Sequence, residues 1–144
     1  MGGKYVSFFL LLFLLWSDVA AAAETTDEAQ RVYRRYGAAV YQVQVIDVIS
    51  GKKNGIGSGF QFTADGLIAT NYHVVAEALQ RPDASRLEYL HGDDGKGALT
   101  ILAVDVVHDL AIVKMDKPQK TFLELGSGKK QKGTRLFSLR KSHD

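Results

Sequence analysis

The sequence predicts an all-β domain, a small barrel or sandwich. Short runs rich in β-branched and aromatic residues recur along the chain. Turn residues (Gly, Asp, Asn, Lys) punctuate them roughly every 8–12 residues, the rhythm of a sheet closed or folded on itself. Helical spacing is confined to short stretches near residues 25–36 and 72–80. With 144 residues, 46% of them hydrophobic, and a net charge of +2, the composition is that of one globular domain.

The first 23 residues stand apart. Lys4 precedes the apolar run "YVSFFLLLFLLW", and "SDVAAAAE" follows. A basic start, an apolar centre of about twelve residues and an Ala-x-Ala site describe a secretory signal peptide. The run is short for a membrane span, which needs roughly 18 residues. Cleavage after Ala22 or Ala23 is expected, giving a secreted or periplasmic protein with no stable span after cleavage. There is no cysteine, so packing alone must hold the fold. That suits a bacterial periplasm better than animal secretion.

"TTDEAQRVYRRYGAA" reads as a short helix over 24–37. Thr25 and Glu28 have capping-box spacing; Ala29, Val32, Tyr33 and Tyr36 share a face; Gly37 stops it. Strands follow at "VYQVQVIDV" (40–48), "GIGSGFQFT" (55–63) and "LIATN" (67–71). "SGKKNG" and the Asp65-Gly66 pair supply the turns. "YHVVAEALQ" is a helical turn that ends before Pro82. "LEYLH" (87–91), "ALTILAVDVV" (98–107) and "DLAIVKMD" (109–116) are further strands, and "TRLFSL" (134–139) opens another.

Charge is uneven. Residues 24–116 hold 9 basic and 13 acidic residues, whereas 117–144 hold 8 basic and 2 acidic. A basic tail suits nucleic acid or anionic lipid, but runs of this length are common on solvated surfaces, and an exported protein rarely meets nucleic acid. No nucleic-acid partner is expected.

His73 follows a strand and opens a helical turn, and Asp109 follows a turn and opens a strand. Neither place suits a core residue. They are distant in sequence, but neighbouring strands of a closed barrel bring such positions together. A carboxylate accepting from a histidine nitrogen fixes its tautomer and stabilises the imidazolium. Such a pair is a general base awaiting a nucleophile. A histidine at a strand end is also commonly just a hydrogen-bonded structural residue.

"GSGFQFTADGLIATNYHVV" together with "DVVHDLAIVKMD" resembles the HtrA/Deg-type branch of the trypsin-like serine peptidases. The residues that carry the resemblance are Gly57-Ser58-Gly59-Phe60, Asp65-Gly66, Ile68, Thr70-Asn71, His73-Val74-Val75, Asp105 and Asp109 to Lys114, over about residues 38–139. The resemblance implies a two-barrel fold with His73 as general base and Asp109 as its orienting carboxylate. It implies polypeptide substrates and no metal or cofactor, and leaves room for oligomerisation. On this reading 38–117 form the first barrel and 118–144 begin a truncated second one with its first strand.

The departure from the family lies in the nucleophile. The family's serine sits in a Gly-(Asn/Asp)-Ser-Gly-Gly loop of the second barrel, and no such run occurs in the 144 residues. Gly57-Ser58-Gly59 precedes His73 and reads as a strand whose small residues permit close approach. Gly126-Ser127-Gly128 follows Asp109 too soon for the chain to return a serine to His73. The expectation is a serine endopeptidase present as an N-terminal fragment, inactive alone. The alternative is a non-catalytic, trypsin-like module that binds a peptide or partner.

The remaining candidates read plainly. His91 ends a strand, and His108 abuts Asp109 without metal-ligand spacing. His143 lies near the chain end, and Asp93-Asp94-Gly95 is a turn lacking the later ligands of a calcium loop.

Overall fold

The computed structural model describes residues 27–92, 95–126 and 131–140. The proposed signal peptide, Thr25, Asp93, Asp94, Ser127 and His143 lie outside the described residues. The chain divides into two compact units, one reaching Arg35 and the other starting at Tyr36. Helix α1, seen over residues 27–36, belongs to the first.

In the second unit a 3₁₀ turn (Gly37–Ala39) leads into six strands: β1 (Val40–Asp47), β2 (Lys53–Gln61), β3 (Leu67–Thr70), β4 (Ser85–His91), β5 (Gly95–Asp105) and β6 (Leu110–Met115). Helix α2 (Tyr72–Gln80) connects β3 to β4. The strands close into an antiparallel barrel in the order β1-β2-β3-β6-β5-β4, with β4 pairing back onto β1. Every strand has a hydrogen-bonded neighbour on both sides, although β2 meets β3 only at Phe60 and Gln61.

The barrel fills because alternate residues point inward. Tyr41, Val43 and Val45 of β1, Leu87 and Tyr89 of β4, and Ala111, Val113 and Met115 of β6 form one core with Ile68 and Leu99. Val74, Val75 and Ala78 of α2 join the same cluster. Helix and barrel approach closely because Gly57 of β2 lies under the Val74 side chain: a Cβ there would collide with Val74 Cγ2. Gly57 therefore admits α2, the helix that begins at the site, while Gly59 lets β2 lie close to Ile68 and Val43.

The strands fall within a few residues of expectation, with two informative differences. The apolar run of β5 continues through Val106 and Val107, yet the strand stops at Asp105. The Asp105 carboxylate captures the N–H groups of Val107 and His108 at 3.1 and 3.0 Å and bends the chain into a turn. The second concerns 134–139, where a strand was expected. That segment has no ladder partner among the described residues, and a strand gains its hydrogen bonds only from a neighbour.

The chain beyond β6 is tied to the barrel by Gln61, which is fully buried. Gln61 Nε2 donates to the carbonyls of Thr63 and Gln119 at 2.8 and 2.9 Å, and its Oε1 accepts from Tyr41 Oη at 3.2 Å and from the Gln119 N–H at 3.3 Å. Leu123 N–H completes the latch on the Gln61 carbonyl at 2.8 Å. Among the described residues no helix is long and apolar enough to cross a membrane.

Candidate active site

The site forms where β3 ends and β6 begins. These strands are neighbours in the barrel, and their register pairs Thr70 with Ala111. The residues just outside that pair are Asn71, which starts α2, and Leu110, which follows Asp109. Strand pairing thus brings together groups 36 positions apart in sequence.

Asp109 is the only described non-glycine residue with a positive φ, at 53°. Aspartate tolerates this left-handed backbone better than most side chains, and such outliers often mark functional positions. The turn that imposes it is built by Asp105. Besides taking two main-chain N–H groups, Asp105 Oδ2 lies 2.7 Å from His108 Nδ1. That contact and those N–H bonds hold the Asp105 carboxyl below the usual carboxylate range.

From this turn Asp109 reaches across to α2. Its Oδ1 accepts the His73 main-chain N–H at 2.9 Å, and its Oδ2 lies 2.7 Å from His73 Nδ1. Its carbonyl accepts the Tyr72 N–H at 3.2 Å. Asn71 Nδ2 donates to that carbonyl at 3.0 Å and to Oδ2 at 3.2 Å. The Asp109 carboxyl is therefore held below its usual range, first by the His73 main-chain N–H and then by the His73 ring. Both side chains face solvent, with the imidazole 70% and the carboxylate 44% exposed.

The chemistry follows from the hydrogen bonds. An ionised carboxylate can only accept, so neutral His73 carries its proton on Nδ1. Its lone pair then sits on Nε2, the ring nitrogen that does not face Asp109. That is the arrangement of a general base whose orientation is fixed from behind.

An apolar cleft of about 450 Å³ opens beside the pair, lined by Val40, Phe60, Asn71, Leu110, Leu123 and Phe137, among others. Ser58 also lines it, from the middle of β2, where it pairs with Gln42. His91 is unrelated to the pair: its ring lies against Tyr41 at 5.0 Å between centroids, and its buried Nδ1 has no partner among the described residues. No group of three or more metal-ligating side chains occurs among the described residues. Sequence reading gave no role of their own to Asn71, Asp105 or His108. The signals were an Asx residue before a helix and an aspartate three residues ahead of His108.

A closed six-stranded antiparallel barrel with a histidine–aspartate pair at the junction of β3, α2 and β6 has the form of the first barrel of a chymotrypsin-like fold. Residues 57–143 match the family described as the trypsin-like peptidase domain, and the chain belongs to it. The fold is similar to that in a crystal structure of Deg5, with a TM-score of 0.59 and 22% identity over 76% of this chain. The chain spans 52% of that structure's length.

Proposed function

We propose that the chain is the first-barrel part of an exported serine endopeptidase of the HtrA/Deg type, acting on exported or unfolded polypeptide. His73 is the general base and Asp109 the residue that orients it. The observation that carries this reading is the 2.7 Å contact of His73 Nδ1 with a carboxylate that also bonds the His73 main chain. His73 Nε2 takes the proton of a serine as that serine attacks a peptide carbonyl, then returns it to the leaving amine. Asp109 stays ionised and stabilises the imidazolium formed in between. The "SDVAAAAE" segment and the basic, apolar start support export.

The test is a form of the protein that carries a Gly-x-Ser-Gly-Gly loop. It should hydrolyse unfolded protein, and His73→Ala should lower turnover by several orders of magnitude, on the order of 10⁶ in a measured serine protease. Full turnover in His73→Ala would overturn the reading.

A second reading, a non-catalytic module that holds a peptide or partner, draws support from the apolar cleft beside the pair. It predicts that His73→Ala binds such a partner as well as the parent does.

A further inference from the structure

We propose that Asn71 is a positioning residue for the His73–Asp109 pair: its side-chain amide holds the Asp109 carboxylate in the orientation that receives the His73 Nδ1 proton. The role in catalysis rests on the general-base reading above. The geometry stands apart from it.

Asn71 occupies the N-cap of α2, with extended backbone at φ −84° and ψ 146°. An asparagine there ordinarily bonds an N–H of the first helical turn. Asn71 makes no such side-chain bond. That duty has passed to Asp109, whose Oδ1 takes the His73 N–H. The Asn71 amide is thereby free to donate to Asp109 twice, at the carbonyl and at Oδ2. Oδ2 is the oxygen that faces His73 Nδ1. The carboxylate is thus gripped at both oxygens, by the His73 main chain on one and by Asn71 on the other. Rotation about its bond to Cβ would break one grip or the other.

The protein contains its own comparison. His108 and Asp105 make a second histidine–aspartate contact of the same 2.7 Å length, with an equally exposed imidazole. There the partners are three residues apart in one turn, and no second side-chain donor reaches Asp105 Oδ2 among the described residues. The two pairs differ in what fixes the carboxylate, and Asn71 supplies that difference.

The experiment measures exchange of the imidazole Nδ1 protons with water by NMR, on the chain labelled with ¹⁵N at histidine. Two variants are compared with the parent. Asn71→Ala removes the amide and leaves no polar side chain at the N-cap position. Asn71→Ser keeps a residue equally suited to the cap but too short to reach Asp109 as the amide does. Loss of a hydrogen bond to a charged group should accelerate His73 Nδ1 exchange about tenfold in both variants. His108 exchange should stay at the parent rate. An Asn71→Ser variant with parental His73 exchange would overturn the proposal, because the Asn71 amide would then not be what fixes the carboxylate. Equal acceleration at His73 and His108 would also overturn it, because the turn or the fold as a whole would have loosened. A parent chain with no protected His73 Nδ1 proton would remove the pair, and with it the function proposed above. Parental protection that survives Asn71→Ser removes only the role of Asn71.

Discussion

Asp109 caps the helix that carries His73. Its Oδ1 takes the His73 main-chain N–H, its carbonyl takes the Tyr72 N–H, and its Oδ2 faces the His73 ring. One residue therefore starts α2 and orients the side chain at its first turn. The same residue holds the helix start and the ring, so folding of this corner and formation of the His73–Asp109 contact are one event.

This double duty predicts an order among substitutions. Asp109→Asn keeps an accepting oxygen and tolerates the left-handed backbone. Asp109→Gly loses the cap but adopts positive φ freely. Asp109→Ala loses the cap and resists the backbone. Urea midpoints should fall in the order wild type, Asn, Gly, Ala. An alanine variant more stable than the glycine variant would show that the φ of 53° imposes no strain.

Acid should act on the same corner. The carboxyls of Asp109 and Asp105 titrate below the usual range in the fold, chiefly through the His73 N–H and the His108 ring respectively. A depressed carboxyl stabilises the fold above the range in which the unfolded chain titrates. That contribution drains away as pH falls through the usual carboxylate range towards the lower folded value. Stability measured by urea from neutral pH downward should therefore drop across that window, and Asp109→Asn should make the acid limb shallower. Part of the slope should remain, because the Asp47 and Asp65 carboxyls are also depressed, by Ser50 and Lys114. An unchanged slope in Asp109→Asn would mean that the carboxylate contributes nothing to folding.

The barrel was legible because its strands are half-buried and alternate, and period-two patterns survive in sequence. Leu87 and Tyr89, or Ala111, Val113 and Met115, point inward on the pattern alone. His73 and Asp109 were legible as polar residues at strand ends, and motif order tied them together. The helix cap by Asp109 was hidden, since a capping residue is sought beside its helix and this one comes from another strand. The end of β5 was hidden too: Val106 and Val107 continue its apolar run, and only the reach of the Asp105 carboxylate to its own main chain stops it. Over 134–139 the local pattern records β preference, which becomes a ladder only beside a neighbour, and the described residues supply none.

Gln61 and Tyr41 should separate cleanly on mutation. Tyr41 is buried, which pushes its hydroxyl up to about 12. Removing that hydroxyl in Tyr41→Phe leaves Gln61 Oε1 with the Gln119 N–H, so the cost should be about 1 kcal/mol. Gln61→Ala removes every side-chain bond of the latch and leaves a cavity under the 118–123 segment. It should cost about 2–4 kcal/mol and expose that segment to limited proteolysis. Urea unfolding and a digestion time course report the two effects. Equal costs for the two variants would show that the Tyr41 hydroxyl, not Gln61, holds the chain down.

The last prediction concerns activity in these 144 residues alone. On the proposed reading His73 is a base, but a base forms no acyl-enzyme, and the sequence contains no Gly-x-Ser-Gly-Gly run to supply the nucleophile. Ser58, which lines the cleft beside the pair, belongs to the middle of β2, where the ladder to Gln42 fixes it in the barrel wall. An attacking serine also needs N–H donors aimed at the oxyanion, and a paired strand commits its N–H groups to its neighbours. A fluorophosphonate probe should therefore leave the chain unlabelled, and unfolded protein should persist in its presence. Adding a Gly-x-Ser-Gly-Gly loop in the complete arrangement should restore labelling in a manner that depends on His73. The decisive measurement is a labelling gel of the parent beside Ser58→Ala and Ser127→Ala. A band on the parent that either substitution abolishes would identify a nucleophile within these residues and overturn the division of labour proposed for this protein.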